Sequence, residues 1–288
     1  MTTELEFAYN TYGEHLSDLS KAAYKSAYNR FMTVSNNKEI HSTSQEKLVE
    51  KLDNEIGFAP QSKNQMTSVF IIIKKAYDMK YDIIKKYRDV KLRKQIIIHA
   101  EEKKKQVKDK LPTMIELKLY LKKLLKEEDY QKYIINWLLI NMGVRNLDLD
   151  LTLTIDRDVL SKKNPHKGNY IVVLKNYLSY IRRDYKTVDT YDEKRFPIRV
   201  YKLFTVVKQF MGDETSKFLL HTDRGERIAA SSLNKYITHR TFNNISESEM
   251  FKAVIKQAIR DGDTKRIKYL SSTRGTAIET IMNTYDVT

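Results

Sequence analysis

The sequence predicts a mainly α-helical protein with one small antiparallel β-sheet, an α+β fold. The 288 residues include only 8 Gly and 4 Pro, so long stretches run without the residues that most often interrupt helices. Most of these stretches repeat apolar residues at helical spacing. Only the region from 147 to 199 shows the period-two alternation that is typical of strands. Together these observations favour a helical protein with a short sheet in its second half.

The first hundred residues show helical periodicity with no strand pattern between the predicted helices. Ser44 is placed to start the second helix, and Gly57 to end it. The third helix is apolar from Val69 to Ile73 and then becomes basic. The predicted helices lie near 16–34, 44–56, 63–79 and 82–106. We expect these helices to form a compact four-helix unit.

A charged stretch separates this unit from the rest of the chain. EEKKKQVKDKLPT, residues 101–113, ends close to Pro112, and proline is well tolerated at a helix start. The sequence therefore predicts a helical domain over 1–106, a linker over 107–112 and a second domain over 113–288.

The second domain begins and ends with helices and has its strands between them. Lys175 and Asn176 suit the tight turn of a hairpin, and Pro197 indicates an edge strand or a strand end. Strands are predicted at 147–156, 169–174, 177–185 and 195–199. Helices are predicted at 113–127, 129–143, 199–211, 230–240, 248–260, 263–270 and 276–285.

The charge of the chain points to an anionic partner. Lys and Arg total 52 against 37 Asp and Glu, a net charge of +15. Residues 74–110 hold 14 of the basic and 6 of the acidic residues, which is over half of the excess. Such a stretch attracts phosphate backbones by counterion release. The alternatives are a solvated helix face in a lysine-rich protein and a membrane surface. The predicted phosphate contacts are Lys74, Lys75, Lys85, Lys86, Arg93, Lys94, Lys103, Lys104 and Lys105.

Other classes of protein are disfavoured by composition. The chain has no cysteine, which excludes disulfides and thiolate metal sites. Its six histidines form no metal-ligand pair at helical spacing. No run of about 18 apolar residues predicts a membrane span, and MTTELEFAYNTYGEHL lacks the apolar segment of a secretory signal. We expect an intracellular protein that needs no metal.

The stretch INMGVRNLDLDLTL, residues 140–153, is the first candidate site. An apolar helix stops at Gly143, where glycine allows a sharp turn. Arg145 follows two residues later and Asp148 three beyond that. The turn can aim Arg145 inward beneath a sheet. The alternative is a surface arginine after a helix end, with Asp148 as its partner.

Two further stretches carry candidate residues. Lys186 lies where a predicted strand leaves its hairpin, and by itself it is typical of a solvated turn lysine. Near the end of the chain, a helix begins around Glu249 to Lys252, and Gly275-Thr276 then leads into a final helix. Tyr285 lies nine residues after Thr276. As one of 19 tyrosines, it is by itself typical of a packing or surface residue.

In their order and spacing these motifs resemble the tyrosine recombinase (phage integrase) family, whose members occur in phages, mobile elements and large DNA viruses of eukaryotes. The resemblance covers roughly 112–288. It consists of Gly143-Val144-Arg145 with Asp148, of Lys186-Thr187 at the hairpin exit, and of Gly275-Thr276 nine residues before Tyr285. The helical first domain is similar to the family's core-binding domain in length and placement.

The resemblance implies an enzyme that acts on double-stranded DNA as a homo-tetramer, with no metal or other cofactor. Tyr285 would be the nucleophile and would form a 3′-phosphotyrosine link. Arg145 would hold the phosphate, because a guanidinium grips two oxygens at once. Lys186 would protonate the departing 5′-oxygen as a general acid.

The chain departs from the family's pattern at three positions. Glu249 and Lys252 stand where the family has histidine and arginine, and Thr276 stands where it has histidine or tryptophan. On this pattern Lys252 would be the second phosphate clamp, and Thr276 would donate one hydrogen bond. Arg274 is a further candidate for the phosphate, the alternative being a surface or helix-start role.

These departures leave several functions open. The first is a site-specific recombinase or integrase, with activity attenuated by the replaced residues. The second is a DNA-binding protein that derives from such an enzyme and no longer cuts DNA. The third is a topoisomerase of the related single-tyrosine type, and the fourth is an unrelated basic helical protein.

Overall fold

The computed structural model describes residues 3–14, 16–35, 39–55, 57–108, 111–161, 168–184 and 193–285. The side chains at 19, 100, 103–108 and 283–285 lie outside this description. The chain divides into unit 1, Met1–Gln106, and unit 2, Val107–Thr288. Each unit has its own buried apolar cluster. The predicted class, mainly helical with one small sheet, is confirmed.

Unit 1 is built from helices. They are α1 Glu4–Tyr12, α2 Asp18–Val34, α3 Gln45–Asn54, α4 Pro60–Ala76, α5 Asp82–Lys86 and α6 Arg93–Lys108, with a π-helical turn at Tyr87–Leu92 between α5 and α6. The helix predicted near 82–106 is therefore interrupted by a change of helical pitch. Helix α6 continues to Lys108, so the first two residues of the predicted linker are helical.

Helix α1 is absent from the prediction. It has nine residues, and its buried apolar residues are only Leu5 and Ala8, too few to show a period. Its start is nevertheless encoded locally, because Thr3 and Glu6 cap each other's backbone N–H groups. The described part of unit 1 therefore has a helix ahead of the four that the sequence predicts, and the fourth predicted helix is divided into α5 and α6.

The predicted start of α3 is confirmed. The Ser44 side chain accepts a hydrogen bond from the Lys47 N–H, which satisfies one of the free donors of the first turn. The apolar run of α4 fills the core of unit 1. Phe70 is fully buried and meets Phe31 of α2 edge to face, with ring centroids 4.6 Å apart.

Unit 2 places a five-stranded sheet among helices. Its strands are β1 Leu151–Thr154, β2 Asn169–Val173, β3 Leu178–Arg182, β4 Lys194–Ile198 and β5 Ser216–Phe218. Its helices are α7 Met114–Lys126, α8 Tyr130–Met142, α9 Tyr201–Met211, α10 Leu233–Thr238, α11 Glu247–Arg260, α12 Thr264–Arg274 and α13 Ile278–Tyr285. Short 3₁₀ turns lie at Asn146–Leu149, Asp158–Leu160 and Phe242–Asn244.

The strand order is β4-β3-β2-β1-β5. The β2–β3 hairpin is antiparallel as predicted, and β4, which contains Pro197, is an edge strand as predicted. The sheet is mixed rather than wholly antiparallel, because β1 and β2 pair in parallel. Parallel pairing needs a crossover connection, and the segment between Thr154 and Asn169 supplies it. The three-residue strand β5 is too short for its alternation to be visible in the sequence.

Helix α8 forms the centre of unit 2. Ile134, Ile135 and Leu138 are fully buried, and the core of the sheet packs in the same apolar cluster. The carboxyl end of α8 therefore emerges from a rigid core, and this end carries the first candidate site. Among the described residues, no helix is both long and apolar enough to cross a membrane.

Candidate active site

Gly143 turns the chain sharply at the end of α8. Its φ of +61° lies in the left-handed region, and a Cβ there would come within 2.6 Å of the Phe251 ring. Both facts require glycine at this position. The turn is followed by buried Val144 and half-buried Arg145, so the predicted inward turn of this segment is present. Residues 143–148 are called the arginine loop below.

Asp148 holds the main chain of Arg145. Its Oδ2 accepts the Arg145 N–H at 2.8 Å, and its Oδ1 accepts from Arg182 Nη2 at 2.8 Å. The carboxylate is fully buried. Burial raises the pKa of the Asp148 carboxyl, an effect that Arg182 and Arg145 oppose. Asp148 therefore stabilises the conformation of the arginine loop by binding its main chain.

The Arg145 side chain extends across unit 2 to the start of the last helix. Its Nη2 donates to Thr276 Oγ1 at 2.9 Å and to the Gly275 carbonyl at 3.4 Å. Its Nη1 is buried and has no hydrogen-bond acceptor among the described residues. Burial lowers the pKa of Arg145, as does the nearby charge of Arg274. The alternative role, a surface arginine paired with Asp148, does not fit these contacts.

Arg274 is the last residue of α12 and is only 3% exposed. Its Nη1 donates to the Gly143 carbonyl at 2.9 Å, and its Nη2 forms an ion pair with Glu247. The guanidinium carbon lies 4.1 Å from the centre of the Phe251 ring, a cation–π contact. Arg274 is thus neither a surface residue nor a helix-start residue. Its charge is held beside the arginine loop.

Arg182 completes a group of three arginines, Arg145, Arg182 and Arg274, which we call the arginine cluster. Arg182 is fully buried on β3, and besides Asp148 it binds the Thr273 carbonyl. The sequence prediction missed Arg182 and also Glu247. The sequence carries no local signal for Arg182, because the burial of all five residues of its strand is visible only in the structure. There the buried charge requires a partner.

Gly275 ends α12 with a φ of +66°, and the chain then enters the last helix. The Thr276 N–H donates to the Ser271 carbonyl at 3.1 Å, and Ser271 Oγ donates to the Thr276 carbonyl at 2.7 Å. Helix α13 follows and is anchored by fully buried Ile281. The predicted glycine turn that leads into a final helix is therefore present. Tyr285 is the last residue of α13, and its side chain lies outside the described residues.

The other predicted site residues of unit 2 do not join this group. Lys186 lies outside the described residues. Lys252 is half-buried on α11, and among the described contacts it has no hydrogen bond or ion pair. It follows Glu247 by five residues, about 140° around the helix axis, so it lies on a different face from the residue that meets Arg274. Glu249 caps its own helix, because its Oε2 accepts from the Ser246 N–H at 2.8 Å.

The basic residues predicted in unit 1 differ in exposure. Lys75, Lys85, Lys86, Arg93 and Lys94 are exposed, and we call them the exposed basic set. The prediction for Lys74 is corrected. This residue is 2% exposed, and its Nζ donates to the carbonyls of His41 at 2.7 Å and Thr43 at 2.6 Å. Burial lowers the pKa of Lys74. Its ammonium therefore supports the fold of unit 1 and is not available to a phosphate. The side chains of Lys103, Lys104 and Lys105 lie outside the described residues.

Within the described ranges, no group of three or more His, Asp or Glu side chains is placed to hold a metal ion. The arginine cluster itself carries three positive charges against the carboxylates of Asp148 and Glu247. Arg182 and Arg274 are each paired with a carboxylate, whereas Arg145 has no carboxylate ion pair among the described residues and its buried Nη1 has no acceptor there. Such an arrangement suits a singly charged anion.

Comparisons with known proteins give low similarity to solved structures. No protein-family model matches the chain, and no curated protein matches it in sequence. Among solved structures, the crystal structure of XerA recombinase matches with a TM-score of 0.39 and 14% sequence identity, over 98% of this chain and 92% of that chain. The function proposed below therefore depends on the contacts of Arg145 and its neighbours.

Proposed function

We propose that unit 2 cuts and rejoins DNA strands with Tyr285 as the nucleophile, as a site-specific recombinase does. The observation that carries the proposal is the Arg145–Thr276 contact. Arg145 and Thr276 are 131 positions apart in the sequence. Their contact places Arg145, whose Nη1 has no acceptor among the described residues, at the beginning of the segment that ends at Tyr285. In this proposal Arg145 binds the phosphate that Tyr285 attacks.

Arg145 is suited to the charge that builds up during this reaction. Its Nη1 is an unused, buried donor, and a phosphate oxygen would satisfy it. Arg182 and Arg274 add positive charge close by. A preorganised donor of this kind stabilises the charge on the oxygens of a five-coordinate phosphorus. Because Thr276 Oγ1 accepts its bond from Arg145, the threonine hydroxyl keeps its own hydrogen for a second phosphate oxygen.

The covalent step exchanges one phosphate ester bond for another. The Tyr285 oxygen forms a bond to phosphorus as the phenol proton passes to water, and the bond from phosphorus to the 5′-oxygen breaks. The 5′-oxygen takes up a proton, for which Lys186 is the proposed donor. A free tyrosine has a pKa of about 10, so the positive arginine cluster also assists by favouring the phenolate.

The second positive group at the phosphate is assigned to Arg274 rather than to Lys252. Arg274 is held beside the arginine loop by Gly143 and Glu247. Its contribution to the bound phosphate is a nearby charge, because both of its Nη nitrogens already bind protein groups. Among the described residues no hydrogen bond or ion pair joins Lys252 to this cluster, and Lys252 stays a proposed DNA contact.

Unit 1 is proposed to hold double-stranded DNA through the exposed basic set. Contacts of this type fix position on the duplex and carry no sequence information. Recombination joins two duplexes, so the proposal includes a homo-tetramer on DNA.

The test uses a nicked suicide DNA substrate that traps the covalent intermediate. Wild-type protein is expected to form an adduct that survives denaturation. Tyr285→Phe should abolish this adduct, and Tyr201→Phe should not. Tyr201 is a matched control because it lies in unit 2 and is 81% exposed. Adduct in the Tyr285→Phe protein would contradict the proposal, as would its absence from wild type on the DNA ends that the protein binds.

A second candidate function is a DNA-binding protein of the same fold that no longer cuts DNA. It is favoured by Glu249, whose carboxylate caps α11, and by Lys252, which among the described residues has no hydrogen bond or ion pair with the arginine cluster. In this case wild-type and Tyr285→Phe proteins would behave alike, and salt-sensitive DNA binding would persist. The same suicide substrate separates the two functions.

A further inference from the structure

Glu247 connects three elements that build the Arg145 site. Its Oε1 forms the ion pair with Arg274, the last residue of α12, and its Oε2 accepts the Asn146 N–H of the arginine loop at 3.3 Å. Glu247 itself is the first residue of α11, and its side chain is 15% exposed. One carboxylate therefore ties the start of α11 to the end of α12 and to the residue beside Arg145.

Glu247 and Asp148 hold the arginine loop in the same way. Asp148 accepts the N–H of Arg145 and pairs with Arg182, while Glu247 accepts the next N–H, that of Asn146, and pairs with Arg274. Two consecutive peptide N–H groups are thus each bound by a carboxylate that is itself held by a buried arginine. The direction in which Arg145 leaves the loop depends on both carboxylates.

The far end of the Arg145 side chain depends on the same residue. The guanidinium is bound by Gly275 and Thr276, which directly follow Arg274. Glu247 fixes Arg274 through its ion pair, so it also fixes the place where the Arg145 guanidinium is anchored. A shift of Arg274 would displace this anchor, and a shift of Asn146 would displace the backbone of Arg145.

We infer that Glu247 is a positioning residue for Arg145, acting through Asn146 and Arg274 without touching DNA. This inference rests on the proposed function of the Arg145 site. Misplacement of a catalytic group by about 1 Å can cost about 100-fold in rate. Glu247 holds both ends of Arg145, so its loss lowers the rate of the covalent step more than it lowers DNA affinity.

Glu249 provides a matched control on the same helix. Both glutamates lie in the first turn of α11, where a negative charge favours the helix dipole. Glu249 binds Ser246 and has no contact with the arginine cluster among the described residues. Glutamine is accepted in this type of cap. Glu247→Gln and Glu249→Gln therefore each remove one negative charge from the same helix end. Only Glu247→Gln removes the charge that pairs with Arg274.

The experiment measures three quantities on full-length wild-type, Glu247→Gln and Glu249→Gln proteins. They are DNA affinity, the rate of adduct formation at saturating suicide substrate, and hydrogen–deuterium exchange of the peptide that covers 143–149. Folding is checked by the fluorescence of Trp137, the single tryptophan, which packs against the core of unit 2. A double variant, Glu247→Leu with Arg274→Met, removes both charges in case the single variant unfolds.

Glu247→Gln is expected to slow adduct formation by about 10- to 100-fold, with unchanged DNA affinity and faster exchange over 143–149. Glu249→Gln should match wild type in all three. The double variant should be folded and should exchange fast over 143–149. Equal behaviour of the two single variants, or full activity of the double variant, would overturn the inference. If wild type forms no adduct, the proposed function fails, and the exchange difference alone decides whether Glu247 holds the loop.

Discussion

The exposed basic set of unit 1 and the arginine cluster of unit 2 are two concentrations of positive charge with opposite surroundings. The lysines of the exposed basic set face solvent, whereas Arg182 and Arg274 are almost fully buried and bound by carboxylates and carbonyls. Exposed charges attract a polyanion from a distance, and salt screens them. Buried, paired charges hold a fixed geometry at a high cost of desolvation.

Lys74 and Lys75 show that two adjacent lysines can differ in the same way, one buried and the other exposed. They are neighbours at the end of α4, yet Lys74 is buried on two carbonyls while Lys75 is exposed. A basic run in a sequence therefore mixes ions that support the fold with ions that are free to bind a partner. The predictions below separate the two kinds, beginning with the largest effect.

Removal of a buried arginine should have the largest effect. Arg182→Ala leaves Asp148 as an uncompensated buried charge, which should destabilise unit 2 by about 3–5 kcal/mol. Urea unfolding followed by Trp137 fluorescence measures this loss. Replacing both partners, Arg182→Met with Asp148→Leu, should recover much of the stability. An Arg182→Ala protein as stable as wild type would show that the pair is not formed.

Arg145→Ala should separate catalysis from stability. It removes the guanidinium whose Nη1 is proposed to bind the phosphate, so the rate of adduct formation should fall by about 10²- to 10³-fold. The change in unfolding free energy should be much smaller than for Arg182→Ala, because Asp148 binds the main-chain N–H of residue 145 and keeps that partner. Single-turnover kinetics on the suicide substrate measures the rate. An unchanged rate would remove Arg145 from the site.

Gly143→Ala tests the turn that aims the arginine loop. The new Cβ would meet the Phe251 ring and would require a left-handed alanine. These two effects should cost about 2–4 kcal/mol together. The matched change is Gly262→Ala, at a φ of +65° but with nothing within 4 Å of the new Cβ, and it should cost only the backbone strain. Equal costs for the two variants would argue against the close packing at Phe251.

Substitutions in the exposed basic set should have the smallest effect on the stability of the protein. Neutralising Lys85, Lys86 and Lys94 to Gln should leave stability unchanged and weaken binding to all DNA sequences alike. The slope of log affinity against log salt should become shallower by roughly 3. The control neutralises Lys118, Lys122 and Lys126, three exposed lysines of α7, for which no DNA contact is proposed. Equal slopes in the two triple variants would leave the exposed basic set without a role.

Much of the fold could be predicted because its signals are local. Apolar spacing locates α2 to α4 and α7 to α13, and turn residues locate the β2–β3 hairpin. The parallel pairing of β1 with β2 could not be predicted, because strand direction depends on a crossover whose path no local pattern records. Strand β5 was missed because three residues are too few to show alternation.

Only some residues of the candidate site could be predicted from the sequence, for a related reason. Gly143, Arg145, Gly275 and Thr276 stand at helix ends, where glycine marks the position. Arg182 and Glu247 have no such mark, because their importance comes from partners that are far away in sequence. Asp148 lies 34 positions from Arg182, and Glu247 lies 27 from Arg274. The roles of Tyr285, Lys186 and Lys252 stay predictions.

The most direct test identifies the tyrosine that becomes attached to DNA. No Lys or Arg lies between Gly275 and Thr288, so trypsin releases Tyr285 in a peptide that begins at Gly275, and Tyr285 is the only tyrosine from Gly275 to Thr288. Adduct trapped on a suicide substrate is digested with trypsin and nuclease and then analysed by mass spectrometry. We expect a nucleotide-linked form of this peptide, which forms much more slowly when Arg145 is replaced by alanine. A nucleotide on any of the other tyrosines, or on none, would contradict the convergence of Arg145 and Tyr285 on one phosphate.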